Sequence, residues 1–426
     1  METRINGLCS FLNGSHSSYH TVAYLEAILK QNGYARLSEG DAWQLTAGGR
    51  YYAVRGGTAI IAFRIPHGSP MGFLLSASHS DRPCFKVKEN AELTGAYTRL
   101  AVERYGGQLL FTWLDRPLSI AGRVMVETGS GFESRLIDID RDLLLIPNVA
   151  IHMNRQVNDG YKWNPAVDML PLLGGRDAGG KLGALLEEAA GGKILGHDLY
   201  LYVREEARIW GIGREYISST GLDDLACAWG CTQGFLQAKE SESIPLLCVF
   251  DNEEVGSSSR QGACSTFLSD TLERICESRN LNLKQMLAQS FMVSADNGHA
   301  LHPNHPELSD PTNAPILGEG IVLKYNASLK YCTDGLSAAL FRKVCQNAGV
   351  KVQTYFNRAD IAGGSTLGNL SQQKVSIPTV DIGLPQLAMH SCYETGAVAD
   401  SIALEDAMTA YYGSCLMVDG DSYILK

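Results

Sequence analysis

Long apolar runs and runs of basic charge are both missing from this sequence of 426 residues. No stretch approaches the roughly 18 consecutive apolar residues that a membrane-spanning helix needs. The net charge is −10, and the absence of a basic run argues against a nucleic-acid backbone as partner. The start of the chain has Glu2 and no apolar segment, so it lacks the pattern of a secretory signal peptide. We therefore expect a protein that binds neither nucleic acid nor membrane.

Paired cysteine motifs are also missing. The 11 cysteines are scattered without CxxC spacing, and several, such as Cys248 and Cys345, lie in apolar runs. This pattern is typical of buried, reduced thiols and predicts a cytoplasmic location rather than a disulfide or zinc-ribbon scaffold. HExxH and GxSxG are absent as well, which excludes the zincin helix and the nucleophile elbow.

One phosphate-loop-like motif is incomplete. The spacing GxxxxGK occurs from Gly175 to Lys181. However, Leu182 stands where Ser or Thr should hold magnesium, and no clear strand precedes the motif. We expect a flexible loop here rather than a nucleotide site.

What the chain does contain is an ordinary globular composition, 45% apolar and 19% charged. An amphipathic helix is predicted over 17–33, with Ser18 as its cap and Gly33 at its end. A hairpin is predicted over 50–64 around Gly56 and Gly57. A buried strand over 72–78 then delivers His79 at its end.

The later pattern predicts an α/β protein with an insertion. Short β-like runs dominate residues 92–211, at 108–114, 118–126, 143–146 and 199–203, and predict an inserted β-rich domain. After it, candidate strands at 245–251, 290–296, 350–356 and 375–382 alternate with candidate helices at 222–239, 333–347 and 400–415. This alternation implies an α/β sheet. We therefore predict a catalytic domain formed by 1–91 and 212–426 around the insert.

The most informative stretch follows the buried strand at 245–251. It reads Asp251-Asn252-Glu253-Glu254-Val255-Gly256-Ser257. Carboxylates at the end of a buried strand are costly unless a cation meets them, and ligands of open α/β sheets bind at that edge. A solvated pair of glutamates is the alternative interpretation.

Four further positions place metal-ligand side chains at predicted strand ends or helix starts. They are His79, Asp223, Asp296 and His390. Asp81 is placed to accept a hydrogen bond from the second ring nitrogen of His79. Singly, such a histidine is usually a core or surface group, and such an aspartate is usually a helix cap. Together they predict one metal site, because imidazole and carboxylate are ligands of zinc and the harder divalent metals.

Several motifs carry a resemblance along essentially the whole chain. The strongest are Ser78-His79-Ser80-Asp81-Arg82-Pro83-Cys84, Pro147-Asn148-Val149-Ala150-Ile151-His152-Met153-Asn154-Arg155 and Phe250–Ser257; others are Ser294-Ala295-Asp296, His302-Pro303-Asn304, Gly364-Ser365-Thr366-Leu367-Gly368 and Met389-His390-Ser391. The chain resembles the bacterial branch of the M18 aminopeptidases, the aspartyl aminopeptidase family. The resemblance implies a zinc-peptidase-like mixed β-sheet sandwiched by helices, with the insert as a dimerisation domain.

The resemblance also implies a role for each candidate residue. Asp223 bridges two zinc ions, with Co²⁺ or Mn²⁺ as alternatives at one site. His79 and Asp296 complete the ligands of one ion, and Glu254 and His390 complete those of the other. Glu253 is the general base that activates a water shared by the metals, and Asp81 orients His79. One metal can hold the free α-amine of a peptide substrate, so that a single N-terminal residue is removed.

Substrate preference and assembly are further expectations from the resemblance. The family removes N-terminal Asp or Glu, and its members form dimers that assemble into a dodecamer. Lys324 matches a position near the substrate, and His152 matches a histidine that reaches a neighbouring subunit's site. Without the resemblance, Lys324 would be interpreted as a surface lysine and His152 as a partly buried strand-end residue. His299 and His302 are expected to support the site rather than bind metal.

Two positions depart from the family pattern. Arg82 stands where a small polar residue is common, and Asp224 stands where Asn is common. Neither is expected to touch a ligand. Two other functions remain open: a related two-metal amidohydrolase such as a deacylase, and a catalytically silent shell or cargo protein that keeps the fold.

Overall fold

The computed structural model describes residues 2–426. Its helices are α1 (Glu2–Gly14), α2 (Ser18–Gln31), α3 (Pro165–Asp168), α4 (Leu182–Ala190), α5 (Leu222–Gln237), α6 (Phe267–Arg279), α7 (Leu283–Ala288), α8 (Gly335–Ala348), α9 (Leu367–Ser371) and α10 (Val398–Tyr412).

The strands of the first half are β1 (Ala35–Leu37), β2 (Arg50–Arg55), β3 (Ala59–Arg64), β4 (Phe73–His79), β5 (Cys84–Leu93), β6 (Tyr97–Tyr105), β7 (Leu118–Thr128), β8 (Gly131–Asp138), β9 (Leu172–Gly175), β10 (Ile194–Val203), β11 (Arg208–Trp210) and β12 (Tyr216–Ser219). The remaining strands are β13 (Ile244–Phe250), β14 (Phe291–Ala295), β15 (Gly298–His299), β16 (Ile321–Tyr325), β17 (Val352–Phe356), β18 (Thr379–Gly383), β19 (Pro385–Gln386), β20 (Glu394–Ala397), β21 (Leu416–Asp419) and β22 (Ser422–Leu425).

A large mixed sheet forms the centre of the molecule. Its nine strands follow the order β1-β2-β3-β13-β4-β14-β18-β16-β17. The middle strands β13, β4, β14 and β18 run parallel to one another, whereas β3 and β16 are antiparallel to their inner neighbours. The middle strands are buried along their whole length, as expected for parallel strands covered on both faces.

Helices cover both faces of this sheet. Alternate residues of the central strands point to opposite sides, so Leu247 and Val249 join one hydrophobic core while Leu246 and Cys248 join the other. Helices α1, α2, α5, α8 and α10 pack in the first core, and α6, α7 and α9 pack in the second. The predicted α/β class, a mixed sheet between helices, is confirmed.

A second, six-stranded sheet is formed mostly by the region predicted as an insertion, together with β5, which begins before it. Its order is β8-β7-β10-β5-β6-β9, and it has its own hydrophobic core, to which α4 contributes. Its strand β5 begins at Cys84, so the predicted boundary between residues 91 and 92 falls inside a strand.

Among the helices of residues 2–426, none combines the length and the hydropathy that a membrane-spanning helix requires.

Several local predictions are confirmed and others are wrong. The hairpin of β2 and β3 forms around Gly56 and Gly57. Helix α2 forms, but Ser17 caps it by accepting from the backbone N–H of His20, and Asn32 ends it. The strand predicted at 108–114 is instead a short 3-10 helix, Leu110–Trp113.

The incomplete phosphate-loop motif has a different structure from the one predicted. Strand β9 does precede it, and helix α4 follows directly after Lys181. The carboxylate of Glu92 accepts hydrogen bonds from the backbone N–H groups of Gly180 and Leu182. A carboxylate of the protein therefore uses the donors that a phosphate would need, which agrees with rejecting a nucleotide site.

Candidate metal centre

Three adjacent parallel strands end at one edge of the large sheet and deliver acidic and imidazole side chains there. Strand β4 ends at His79, β13 is followed by the Asp251–Ser257 turn, and β14 is followed by Asp296. Since these strands are neighbours in the order β13-β4-β14, their carboxyl ends meet. Asp223, in the first turn of α5, and His390, in the loop after β19, complete the cluster.

The ligand atoms of this cluster form groups within metal-binding range. In each group, all the atoms lie within 4.8 Å of one another. The groups are His79, Asp223, Asp224 and Asp296; Asp223, Glu254 and His390; and His79, Glu253 and Glu254. The structure thus brings together all the predicted metal ligands and Glu253.

Asp223 lies between the two histidines. Its Oδ1 is 3.6 Å from Nε2 of His79, and its Oδ2 is 3.5 Å from Nε2 of His390. Nε2 of His390 is also 3.4 Å from Oε2 of Glu254. Two zinc ligands at about 2.0–2.1 Å in tetrahedral geometry lie roughly 3.3–3.4 Å apart, so these spacings suit zinc between each pair. One carboxylate therefore presents its two oxygens to two different histidines.

Buried oxygens without partners show that the residues fit metal ions. Oδ1 of Asp223, Oδ1 of Asp224 and Oε1 of Glu254 are buried, and none has a hydrogen-bond partner among residues 2–426. A buried polar atom left unpaired costs on the order of 1–3 kcal/mol, and more when it is charged. A divalent cation would satisfy these oxygens.

The pKa values describe the same crowding of negative charge. Burial, followed by repulsion from Asp223, raises the pKa of Glu254 well above its usual range. Burial raises the pKa of Asp296 to about 6, although the charge of Lys324 opposes the shift. Burial would also raise the pKa of Asp223, but hydrogen bonds from His390 and His79 outweigh it and lower the pKa. The two histidines therefore favour the ionised form of Asp223.

Glu253 lies beside the ligands. It begins a short 3-10 turn, Glu253–Val255, whose preceding residue Asn252 has a left-handed φ of 62°. Burial raises the pKa of Glu253 to about 8, with further contributions from Asp296 and Asp81. A carboxyl group in this place, next to the candidate ligands His79 and Glu254, can accept and donate a proton there.

Asp81 supports both the histidine and the glutamate turn. Nδ1 of His79 is 3.1 Å from the backbone carbonyl oxygen of Asp81 and 3.3 Å from its Oδ1. The same carboxylate accepts the backbone N–H groups of Glu253 and Glu254 at 3.1 and 3.2 Å. The predicted contact between Asp81 and the second ring nitrogen of His79 is present, through the backbone as well as the side chain.

Lys324 is not a surface lysine. It is 2% exposed, and its Nζ donates to the backbone oxygens of Asp296 and Asn297 at 2.7 and 3.1 Å. It also lies 3.3 Å from Oδ2 of Asp296. An ammonium has three donors, and here all three face acceptors of the protein. The ammonium of Lys324 therefore contacts Asp296 directly, at both its backbone oxygen and its carboxylate.

His152 lies away from the other candidates. It is exposed in a turn between β8 and β9, so it is not the partly buried strand-end residue of the alternative interpretation. Within residues 2–426, no hydrogen bond or ion pair joins it to the metal-ligand cluster. Of the two other histidines considered, His299 is exposed and packs edge-on against Tyr355, and His302 forms no part of the cluster.

The sequence prediction missed two carboxylates that contact the ligands. Asp224 accepts the backbone N–H of His79 at 3.2 Å and belongs to one of the metal-ligand groups, so the expectation that it touches no ligand is wrong. Glu394 accepts the backbone N–H groups of Asp223 and His390 at 3.0 and 2.7 Å. No motif marks Glu394; the only available signal was its place four residues after His390. Arg82, the other departure, packs against Gly221.

Comparison with known proteins identifies the family. The sequence profile described as "Aminopeptidase I zinc metalloprotease (M18)" matches residues 11–412. The chain belongs to the M18 aminopeptidase family. It is a zinc metalloaminopeptidase, as the resemblance of its motifs predicted.

Relatives and solved structures of the M18 family cover nearly the whole chain. A probable M18 family aminopeptidase 2 of Clostridium acetobutylicum is 41% identical over 421 residues, which are 95% of this chain and 97% of that protein. A cryo-EM structure of the Ape4 and Nbr1 complex superposes with a TM-score of 0.93 at 33% identity, covering 97% of this chain and 86% of that one. The mApe1 dodecamer of S. cerevisiae superposes with a TM-score of 0.83 at 25% identity, covering 96% and 95%.

Proposed function

We propose that this M18 enzyme uses two zinc ions and removes N-terminal Asp or Glu from peptides. The observation that carries the two-metal proposal is the position of Asp223, whose two oxygens face His79 and His390 separately. A further acid lies near each histidine: Asp296 is grouped with His79, and Glu254 is grouped with His390. When bound, the two ions would polarise the scissile carbonyl and lower the pKa of the attacking water.

Charge balance supports two divalent ions. The buried or partly buried acids of the centre are Asp81, Asp223, Asp224, Glu253, Glu254 and Asp296. Among residues 2–426, Lys324 is the only lysine or arginine that forms an ion pair with any of them. A single divalent cation together with Lys324 would leave half of the formal negative charge of these six acids uncompensated, which is costly inside a protein.

Glu253 is the proposed general base and acid. It lies with His79 and Glu254 in one group but is not needed to complete either set around Asp223. We propose that Glu253 takes the proton of the attacking water and delivers it to the leaving amine. The carboxylate of Asp81 accepts a hydrogen bond from the backbone N–H of Glu253. This hydrogen bond fixes the position of Glu253, the residue that would take up the proton.

An acidic preference is proposed on two supports. The resemblance of the sequence motifs to the aspartyl aminopeptidase family is the first, and the buried ammonium of Lys324 beside the cluster is the second. Because the three donors of Lys324 are already used by protein oxygens, we propose that its charge attracts a substrate carboxylate through space rather than by a direct ion pair.

We further propose that the chain assembles as a homo-oligomer of dimers, up to a dodecamer, through the region 92–211. The S. cerevisiae relative is described as a dodecamer. In this chain, the second sheet and its loops expose apolar side chains, including Tyr97, Phe132, Met153 and Val167. His152 lies in the same exposed loop region as Met153, where it is available to a neighbouring subunit. All 11 cysteines are free thiols; a cytoplasmic location, which we also propose, would keep them reduced.

Metal analysis together with hydrolysis of aminoacyl nitroanilides tests the proposal. Two zinc ions per chain, chelator-sensitive cleavage, and higher kcat/KM for Asp and Glu than for Leu are the expected results. An acetylated peptide separates the aminopeptidase from a deacylase, because the aminopeptidase requires the free amine and should leave that peptide intact. One zinc per chain, or an equal rate on Leu, would overturn the two-metal proposal or the acidic preference respectively.

A further inference from the structure

Three consecutive residues at and just after the end of β6 lie against three different parts of the metal centre. Strand β6 ends at Tyr105, whose hydroxyl donates to Oδ2 of Asp81 at 2.6 Å. Gly106, with a φ of 79°, passes so close to Glu254 that a Cβ on it would lie 3.2 Å from the Cβ of that glutamate. The carbonyl of Gly107 accepts from Nδ1 of His390 at 2.8 Å.

The position of Tyr105 follows from the pairing of β5 with β6. Tyr105 pairs with Cys84, the first residue of β5, and Asp81 lies just before that strand. The end of β6 is therefore held beside the loop that carries Asp81. The ring of Tyr105 packs edge-on against that of Tyr200 in β10, with ring centroids 5.9 Å apart. This packing restricts where the hydroxyl of Tyr105 can point.

The hydroxyl of Tyr105 makes two hydrogen bonds with the loops of the centre. It donates to Asp81 and accepts from Nδ2 of Asn252 at 2.9 Å. Asn252 has a left-handed backbone and directly precedes the turn of Glu253 and Glu254. Burial, together with the negative charges of Asp81 and Asp251, raises the pKa of Tyr105, so its hydroxyl stays protonated and keeps donating.

We propose that Tyr105 is a positioning residue for the reaction, acting through Asp81 and Asn252. Through Asp81 it sets the orientation of the His79 ring, and through Asn252 it sets the position of the Glu253 turn. The second sheet is then part of the metal centre as well as a region for subunit contacts. This inference rests on the proposed two-metal function.

Removal of the hydroxyl alone tests the proposal. Hydrogen-bond partners of metal ligands typically contribute about 10–100-fold to metal affinity or activity. Because Tyr105 reaches His79 only through Asp81, we expect Tyr105→Phe in the zinc enzyme to weaken zinc binding and to lower kcat by factors at the lower end of that range. KM should change little, because the hydroxyl contacts loops of the protein rather than a position open to substrate.

A matched control is available in the same aromatic pair. The hydroxyl of Tyr200 makes no hydrogen bond among residues 2–426, so Tyr200→Phe makes the same chemical change without the proposed link. Zinc affinity is measured by competition with a chelator, and the visible spectrum of the Co²⁺-substituted protein reports ligand geometry. The spectrum should change in Tyr105→Phe and not in Tyr200→Phe.

The outcomes separate this inference from the proposed function. If Tyr105→Phe matches Tyr200→Phe in zinc affinity, kcat and Co²⁺ spectrum, the positioning role is wrong, while zinc-dependent cleavage by both still supports the function. If the wild-type chain binds no zinc and cleaves nothing, the function itself fails. Should Tyr105→Phe fail to fold, Asn252→Gly removes the other hydrogen bond and keeps the left-handed backbone. An unchanged kcat and Co²⁺ spectrum in that variant would then overturn the proposal.

Discussion

The neighbouring glutamates Glu253 and Glu254 should respond in opposite ways to the same substitution. Glu253→Gln removes the proton acceptor but leaves the atoms around Asp223 in place, so two zinc ions should remain bound. General acid–base catalysis contributes about 10²–10⁴-fold, which corresponds to roughly 2.7–5.4 kcal/mol of transition-state stabilisation. We expect kcat to fall by a factor in that range.

Glu254→Gln should instead lower the metal content. Oε2 of Glu254 lies 3.4 Å from Nε2 of His390, and its other oxygen is buried without a partner. A neutral amide in this place leaves Asp223 as the only carboxylate of that half of the centre, so zinc should fall from two ions to one per chain. Metal content is measured by elemental analysis after gel filtration, and kcat with an Asp-nitroanilide.

The pair of variants can refute the assignment. If Glu253→Gln loses zinc as Glu254→Gln does, Glu253 is a ligand and not the proton carrier. If Glu253→Gln keeps both ions and its kcat stays within tenfold of the wild type, another group moves the proton. Either result contradicts the proposed roles of Glu253 as proton carrier and Glu254 as metal ligand.

Three further predictions concern Lys324, His152 and Asp198. Lys324→Met removes the ammonium paired with Asp296 and should lower kcat/KM for Asp substrates more than for Leu substrates; equal losses on both would contradict a role in acidic preference. Subunits carrying His152→Ala should lose activity, and mixing them with subunits carrying Glu253→Gln should restore part of it, because intact sites form across the interface; no recovery in mixed oligomers would contradict a shared site. Burial would raise the pKa of Asp198, but two neighbouring cations hold it at about 2, below the ordinary 3.8. Its stabilising effect is therefore present above 3.8 and is lost as the pH falls through 2. In urea unfolding, the variant Asp198→Asn should lose about 1–2 kcal/mol at pH 7, allowing for partial exposure, and about half of that at pH 3; a loss independent of pH would refute the ion-pair explanation.

Much of the large sheet could be predicted from the sequence, because its central strands are short and mainly apolar. The strands that end in His79, Asp251 and Asp296 were placed to within a residue or two. Regions with weaker patterns were missed or wrong. The run 108–114 looks β-like but forms a 3-10 helix, since its residues pack around the loop of His390 instead of pairing in a sheet.

The residues of the candidate site likewise fall into those that a local sequence pattern marks and those that it does not. Motifs indicated His79, Glu253 and Glu254, because each follows an apolar strand. Glu394 and Tyr105 carry no such signal, and they matter only because distant strands place them beside Asp223 and Asp81. Without the resemblance, the pattern around Lys324 indicates a surface lysine, yet Lys324 is buried against Asp296.

By itself, the sequence determined the fold class and the types of candidate ligand, because these depend on local periodicity and on side-chain chemistry, and its motifs carried the resemblance to the family. Only the tertiary structure decided that the two oxygens of Asp223 face different histidines. It also decided that the end of β6 reaches the loops around the metal positions. Such contacts join residues far apart in the chain, and their geometry depends on strand order and register, which no local pattern records.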